Sequence, residues 1–359
     1  MRGLLKGLGR TDIAGVSIDS RHLRVVSFKR SRSKLELEKD QEITLSGKVL
    51  EGSRISDSQT LAEELENLFD VVGQKNKQVV TAVPGPNVVI RQLFFPSMSK
   101  KELDSAVEWE AQDILPYDLE EVEMDYMESG KVETDEGEKT RVVLAAVPKD
   151  ILRDFYEVFS QAGLKLNAIE VEPIALSRII DYFYQPQEDF HQCQAIIDIG
   201  EENTNLAVVS KRGIEFTRII AYGLSTVYPH VSENLGVSLE EANEIMEKGE
   251  GIITSPEEGL SEKQLQLSNS LQIGLGDIID EVQRSLSYFR TQNRELNINN
   301  LVLSGRGTLI QDLEKHFIAE INIPSEILSF PVNSSGSKDT YLPSQYAIAT
   351  GLALREVLD

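Results

Sequence analysis

Apolar positions along the chain fall into runs of two periods, and the order of those runs repeats. Ile13 to Ile18, Leu23 to Phe28 and Lys34 to Leu37 read as three strands, the last alternating apolar and charged side chains as a half-exposed strand does. With polar turns between them they predict a β-meander from Asp12 to Thr44. Leu61, Leu65, Leu68 and Phe69 then share one helical face, and Val79 to Val83 follow as a strand that Pro84 and Gly85 end. The first unit is therefore β-β-β-α-β.

Beyond Val88 the texture changes. A strand runs to Phe95, Ser99 and Glu102 have capping-box spacing, and Leu103, Val107, Ala111 and Ile114 give the following helix an apolar face that Pro116 stops. Acidic residues crowd the span from Glu102 to Glu138, and Gly130 to Glu138 reads as a charged hairpin tip. A strand at Arg141 to Val147 leads into a helix with Ile151, Phe155, Val158 and Phe159 inward. This predicts a small α/β subdomain inserted in the first unit.

After a polar linker at Gln185 to Gln192 the opening pattern returns. Gly15-Val-Ser-Ile-Asp-Ser-Arg-His-Leu-Arg-Val-Val-Ser matches Ile196-Ile-Asp-Ile-Gly-Glu-Glu-Asn-Thr-Asn-Leu-Ala-Val-Val-Ser in form: strand, tight polar turn, strand. A basic turn follows each, Lys29 to Arg32 and Lys211 to Gly213, and then a third strand. The chain reads as an internal duplication. A helix capped by Ser238 with Glu241, a long helix from Ser261 to Arg290, a strand at Asn300 to Leu303, a glycine turn at Gly305 to Gly307 and a helical Leu309 to Phe317 complete it. The expected divisions are a tail at 1–11, a first-lobe core at 12–87, the insertion at 88–171, a return helix at 172–190 and a second lobe at 191–359, with its helical part at 224–290.

Composition narrows the function classes. Of 359 residues 59 are acidic and 36 basic, and the formal charge of -23 repels phosphate backbones, which argues against nucleic-acid binding. No stretch approaches the roughly 20 consecutive apolar residues of a membrane span, and no apolar signal core stands at the start, so a cytoplasmic location is expected. Met1 to Arg10 sets Leu4, Leu5 and Leu8 among Arg2, Lys6 and Arg10, either a frayed end or a short basic amphipathic contact. Cys193 has no disulfide partner, and His22, His191, His230 and His316 lack ligand spacing, so structural zinc is not expected.

Candidate chemistry sits in the turns. A turn that approaches phosphate needs small residues, because the backbone N–H groups are the ligands. Asp198-Ile199-Gly200 followed by Asn203, Thr204 and Asn205 has that form, with Asp198 able to hold magnesium through water. Gly305-Arg306-Gly307 after an apolar strand is the second candidate. Each also fits a plain strand-ending turn; their order in a duplicated chain points to a ligand held between two lobes. Gly-x-Gly-x-x-Gly, Walker-type and Gly-x-Ser-x-Gly motifs do not occur. The pairs Glu120-Glu121 and Glu240-Glu241 read as solvated helix faces.

The order of segments from Asp12 to Asp359 resembles the PilM family of type IV pilus assembly proteins, relatives of FtsA in the actin and Hsp70 superfamily. The most specific stretch is Lys101-Glu-Leu-Asp-Ser-Ala-Val-Glu-Trp-Glu-Ala-Gln-Asp-Ile-Leu-Pro-Tyr-Asp-Leu-Glu-Glu-Val. Val171-Glu-Pro-Ile-Ala-Leu, Leu235-Gly-Val-Ser-Leu-Glu-Glu-Ala, Arg284-Ser-Leu-Ser-Tyr-Phe and Thr350-Gly-Leu-Ala-Leu-Arg stand in the expected order. The resemblance implies an actin-like (ribonuclease H-like) α/β fold of two lobes, ATP and Mg2+ between them, and a groove on the first lobe for the cytoplasmic tail of a PilN-like inner-membrane protein. It implies a scaffold at the inner face of the cytoplasmic membrane. An active ATPase switch of the same machine, a type II secretion or competence component, and an FtsA-like division protein are the alternatives on the same fold.

By residue, the resemblance makes Asp198, Gly200, Asn203 and Thr204 the second phosphate loop, with Asn205 beside it as a further binding candidate, Gly305 and Gly307 the adenosine turn, and Glu172 a positioner of water. The first phosphate loop departs from the family. Ser17 lacks the carboxylate, Asp19 replaces a glycine and brings a like charge toward phosphate, and Ser20, Arg21 and Arg24 follow, with Arg24 at a lysine position. Asn243 and Met246 stand where relatives offer a glutamate and a lysine, and Arg306 replaces the second glycine of the adenosine turn. Together these changes imply a degenerate ATP cleft with weak or absent ATPase activity.

Overall fold

The computed structural model describes residues 13–31, 34–73, 78–134, 137–184, 191–248, 251–254, 260–334 and 337–358. The amphipathic segment at Met1 to Arg10, the linker before His191 and the centre of the Gly130 to Glu138 tip lie outside them.

Every residue of β1 (Ile13–Ile18) is buried, as a strand covered on both faces requires. It pairs antiparallel with β2 (His22–Ser31), which pairs antiparallel with β3 (Lys34–Thr44), and the meander is complete. A ribbon of β4 (Leu50–Glu51) and β5 (Arg54–Ile55) precedes α1 (Ser58–Val72). Asp57 caps α1 by accepting the Thr60 N–H, and Gly73 ends it at a left-handed φ of 66°. Leu61, Leu65, Leu68 and Phe69 face the core, and β6 (Gln78–Val83) lies parallel to β1 on the side away from β2.

The inserted subdomain is a three-stranded antiparallel sheet of β7 (Val89–Pro96), β8 (Val122–Thr134) and β9 (Gly137–Pro148), with β9 central. Helix α2 (Lys100–Ile114), opened by the expected Ser99–Glu102 capping box, covers one face. Leu103, Val107 and Ala111 meet Val142, Leu144 and Ala146 there. The insertion ends at Pro148, short of the expected boundary at 171. Helix α3 (Lys149–Gln161) buries Ile151, Phe155, Val158 and Phe159 in the first-lobe core, and β10 (Lys165–Val171) runs parallel to β6 in the large sheet. The reason is local: the helical apolar face of α3 matches α1 and the large sheet, so the chain rejoins the first lobe as soon as β9 is complete.

Helix α4 (Glu172–Ile179) and a π-helical turn at Ile180–Tyr184 lead to the second lobe. Strands β11 (Gln192–Ile199), β12 (Thr204–Ser210) and β13 (Gly213–Ile220) repeat the meander. Helices α5 (Leu224–Leu235), α6 (Leu239–Glu247) and α7 (Glu262–Gln292) follow, the last two with capping boxes at Ser238–Glu241 and Ser261–Gln264. Strand β14 (Asn297–Ser304) then lies parallel to β11, as β6 does to β1. A 3-10 turn at Arg306–Leu309 comes next, and α8 (Leu313–Ile321) starts four residues later than the apolar pattern predicts, because Asp312 adopts φ 62°. Strand β15 (Ser325–Ile327) ends the sheet, ordered β13-β12-β11-β14-β15.

The chain then returns to the first lobe, where the expected division had it continue in the second. Strands β16 (Phe330–Ser334) and β17 (Ser337–Leu342) extend the large sheet beyond β3, giving β10-β6-β1-β2-β3-β16-β17. Helix α9 (Ala347–Leu358) packs on β1 and on α4. Contact here is at backbone distance: a β-carbon on Gly15 would lie 2.0 Å from the Ala349 oxygen, and one on Gly351 would lie 2.0 Å from the Ala175 oxygen. On its other side α4 sets Leu176 and Ile179 against Ile196, Ala207 and Val209 of the second sheet. Thus α4 and α9 form a shared middle layer between the two sheets.

Candidate functional site between the lobes

The two predicted hairpin turns, Ile18–His22 after β1 and Ile199–Thr204 after β11, face each other across the cleft between the lobes. In the first turn one Asp19 carboxylate oxygen accepts the backbone N–H groups of Arg21 and His22, both at 2.8 Å. The other oxygen accepts from Arg24 Nη1 at 2.8 Å. Asp19 therefore occupies the donors that an anion would need, as an internal substitute for it. Burial pushes this carboxyl up, but Arg24 and His22 outweigh burial and hold it well below the usual carboxylate range. The expected repulsion between Asp19 and phosphate is thus met by a cation on the strand that follows the turn, Arg24, while Arg21 reaches across to Glu201.

The second turn is shaped by close packing. A β-carbon on Gly223 would lie 2.5 Å from the Glu201 oxygen, and the N–H groups of Leu224 and Ser225 donate to the Gly200 and Glu201 carbonyls. Glu201 and Glu202 are thereby aimed at the first lobe. Arg21 Nε lies 3.0 Å from Glu201 Oε1, and Ser20 Oγ donates to Glu202 Oε1 at 3.0 Å. Arg21 also reaches Glu240 of α6 at 3.5 Å and stands 5.7 Å above the Tyr228 ring, whose hydroxyl donates to Glu201 Oε2 at 2.8 Å.

The floor is one lateral row of the second sheet. Asp198 on β11 is in register with Asn205 on β12 and with Ser304 on β14. Ser304 Oγ donates to Asp198 Oδ2 at 2.8 Å, and Asn205 Nδ2 donates to Glu172 Oε2, also at 2.8 Å, at the start of α4. Burial drives all three nearby carboxyls up: Asp198 to about 6 despite Ser304 and Arg24, Glu201 to about 7 with Asp19 adding to it, and Glu172 to about 8 despite Asn205.

Among the sequence-predicted residues, Ser17, Asp19, Ser20, Arg24, Glu172, Asp198, Gly200, Asn203, Asn205, Gly305 and Arg306 line the cleft. The others do not. Thr204 is buried with its hydroxyl on the Tyr222 carbonyl, Met246 belongs to the second-lobe core, and Asn243 donates to Glu247 at 3.3 Å. Gly307 is small for packing: a β-carbon there would lie 2.6 Å from that of Ile199. Sequence reasoning missed Glu42, Glu201, Glu202, Glu240 and Glu247. Glu42 had a signal, since it is the cross-strand neighbour of Arg24 in the meander.

The cleft between the two turns is narrow in this closed arrangement. Sites for small ligands enclose roughly 300–1,000 Å³, and the cleft encloses about 50 Å³. Among the described residues no cluster of three or more histidine, cysteine or acidic side chains is arranged to hold a metal.

A second concavity, of about 970 Å³, lies between the inserted subdomain and the second lobe. Ile90, Gln92 and Phe94 of β7, Phe216 and Arg218 of β13, and Tyr288 of α7 line it, and both β7 and β13 are edge strands. Two β-bulges meet beside it. Glu215 is the unpaired residue of a bulge in β13, and Ser129 and Gly130 form a bulge in β8 opposite Arg141. Arg141 and Glu215, each with a side chain 1% exposed, form an ion pair across this junction, and Ser129 Oγ donates to the Ile214 carbonyl at 2.8 Å.

No helix among the described residues is long and apolar enough to cross a membrane. Over 97% of this chain and 99% of the other, the fold superimposes with a TM-score of 0.82 at 22% identity on a chain from a PilM-PilN type IV pilus biogenesis complex. The ethanolamine utilization protein EutJ from Carboxydothermus hydrogenoformans matches at TM-score 0.58 and 13% identity over 95% of this chain and 88% of its own. MreB5 of Spiroplasma citri bound to ADP matches at 0.52 and 12% over 96% and 97%. The expected two-lobed actin-like fold is therefore the observed one, and residues 15–357 match the family described as type IV pilus assembly protein PilM. On that match, spanning both lobes and the insertion between them, the chain belongs to the PilM family.

Proposed function

We propose that this chain is a scaffold of a type IV pilus assembly complex, held at the cytoplasmic face of the inner membrane by the cytoplasmic tail of a PilN-like protein. The carrying observation is the contrast between two concavities: about 50 Å³ in the interlobe cleft against about 970 Å³ beside the inserted subdomain. The larger one is bounded by two edge strands and carries the exposed aromatic rings of Phe94 and Tyr288. An extended peptide adds to such edges through its backbone and sets alternate side chains into the aromatic wall. The partner identity rests on family membership and on the PilM-PilN complex among the similar structures.

Titrating the protein with a synthetic tail of a PilN-like protein tests this reading. The tail is expected to bind, and Phe94→Ala or Tyr288→Ala to weaken it by about tenfold or more, the usual scale for a buried aromatic anchor. Tail binding that ignores both substitutions places the tail elsewhere, and no binding at all removes the scaffold reading. The alternative ATPase switch draws on Asp198 and Glu172, which stand together on the cleft floor; it requires the cleft to open.

A further inference from the structure

Arg306 is the middle residue of the turn after β14, and only 5% of it is exposed. Its Nη2 lies 2.5 Å from Glu247 Oε1 on α6, and its Nη1 lies 3.7 Å from Glu42 Oε1 on β3 of the first lobe. Glu42 in turn accepts from Arg24 Nε at 2.5 Å, and Arg24 holds Asp19. A chain of alternating charge, Glu247–Arg306–Glu42–Arg24–Asp19, thus runs from the helical arm of the second lobe to the first turn of the first lobe. Arg306 Nε and Arg24 Nη2 are buried there with no protein acceptor.

We infer that Arg306 is an internal latch: its guanidinium bridges the helical arm and the first lobe and closes the cleft without a ligand. Three parts of the fold converge on this one side chain. The flanking glycines let the turn lie directly on β11, since a β-carbon on Gly305 would lie 2.5 Å from the Ile199 oxygen. The side chain then fixes α6 through Glu247 and β3 through Glu42. The Glu247 contact is a charge-assisted hydrogen bond, the stronger class, and the Glu42 contact is a longer ion pair held by a guanidinium that is itself buried. The inference rests on cleft geometry alone, so its failure leaves the tail groove untouched.

The test places spin labels at Glu66→Cys on α1 and Glu244→Cys on α6, both exposed, with buried Cys193 left in place. Label distances are compared in the parent, Arg306→Ala and Glu42→Gln. Glu42→Gln removes one partner's charge without touching the glycine turn. The latch predicts a longer or broader distance distribution in both variants. It also predicts that Arg306→Ala binds Mg-ATP at least about tenfold more tightly than the parent, measured by calorimetry. Unchanged distances in both variants overturn it. So does a parent that binds Mg-ATP and loses that binding in Arg306→Ala, because Arg306 is then a ligand contact.

Discussion

Asp19 satisfies two backbone N–H groups and one guanidinium at once, so its removal leaves Arg24 short of a partner at a buried site. Asp19→Ala is expected to lower stability by about 1–3 kcal/mol, read by chemical denaturation. Glu172 acts in the opposite sense. Its carboxyl is pushed up to about 8 by burial against an ordinary value of 4.5, so the folded chain keeps a proton that the unfolded chain releases between these values. Stability from this group is therefore full below pH 4.5 and declines as pH rises toward 8, by up to about 1.4 kcal/mol per pH unit. Glu172→Gln should flatten that decline, and an unaltered slope between pH 5 and 8 rejects it. At this scale the sequence was half legible. Asp198, Gly200 and Asn205 were readable because one strand-turn-strand pattern carries them. Glu240 lies on a solvated helix face as expected, its side chain 68% exposed, and from there it also receives Arg21 of the other lobe, while its neighbour Glu241 caps α6.

At the scale of elements, local signals were reliable wherever a cap or a period was complete. Ser99 and Ser238 open their helices as the capping spacing predicts, and the long helix starts at Ser261 as its apolar pattern predicts. The start of α8 was misplaced because Asp312 takes a left-handed conformation that a propensity argument does not anticipate. The junction of β8, β9 and β13 was invisible, since each bulge arises only when its strands pair. That junction supports a sharp expectation. Arg141→Met alone leaves Glu215 buried without its cation and should cost about 3–5 kcal/mol, whereas Arg141→Met with Glu215→Met should recover most of it. A thermal-melt double-mutant cycle reads the coupling, and additive losses from the two changes would show that the pair is not coupled.

For the whole molecule, duplication of the β-meander revealed two lobes, and the inserted subdomain was visible in its change of texture. The crossings were not. Residues 330–358 rejoin the first lobe, and α4 leaves it for the second sheet, without any change of composition at those points. Closure of the lobes likewise depends on pairs far apart in sequence, such as Ser20 with Glu202 and Arg306 with Glu42, which only the tertiary arrangement brings together. This is why two turns that read as separate ligand loops along the chain touch each other in space.

The paired bulges bear on how this architecture can be recombined. By chain connectivity the subdomain of β7, α2, β8 and β9 looks like a removable module, entered after Val88 and left at Pro148. Its buried Arg141, however, answers to Glu215 on a strand of the other lobe. A chimera that takes residues 88–148 from a relative without an arginine in place of Arg141 therefore leaves Glu215 with half of a charge pair. The exchange unit is discontinuous, and a viable graft must carry the β12–β13 hairpin with the subdomain.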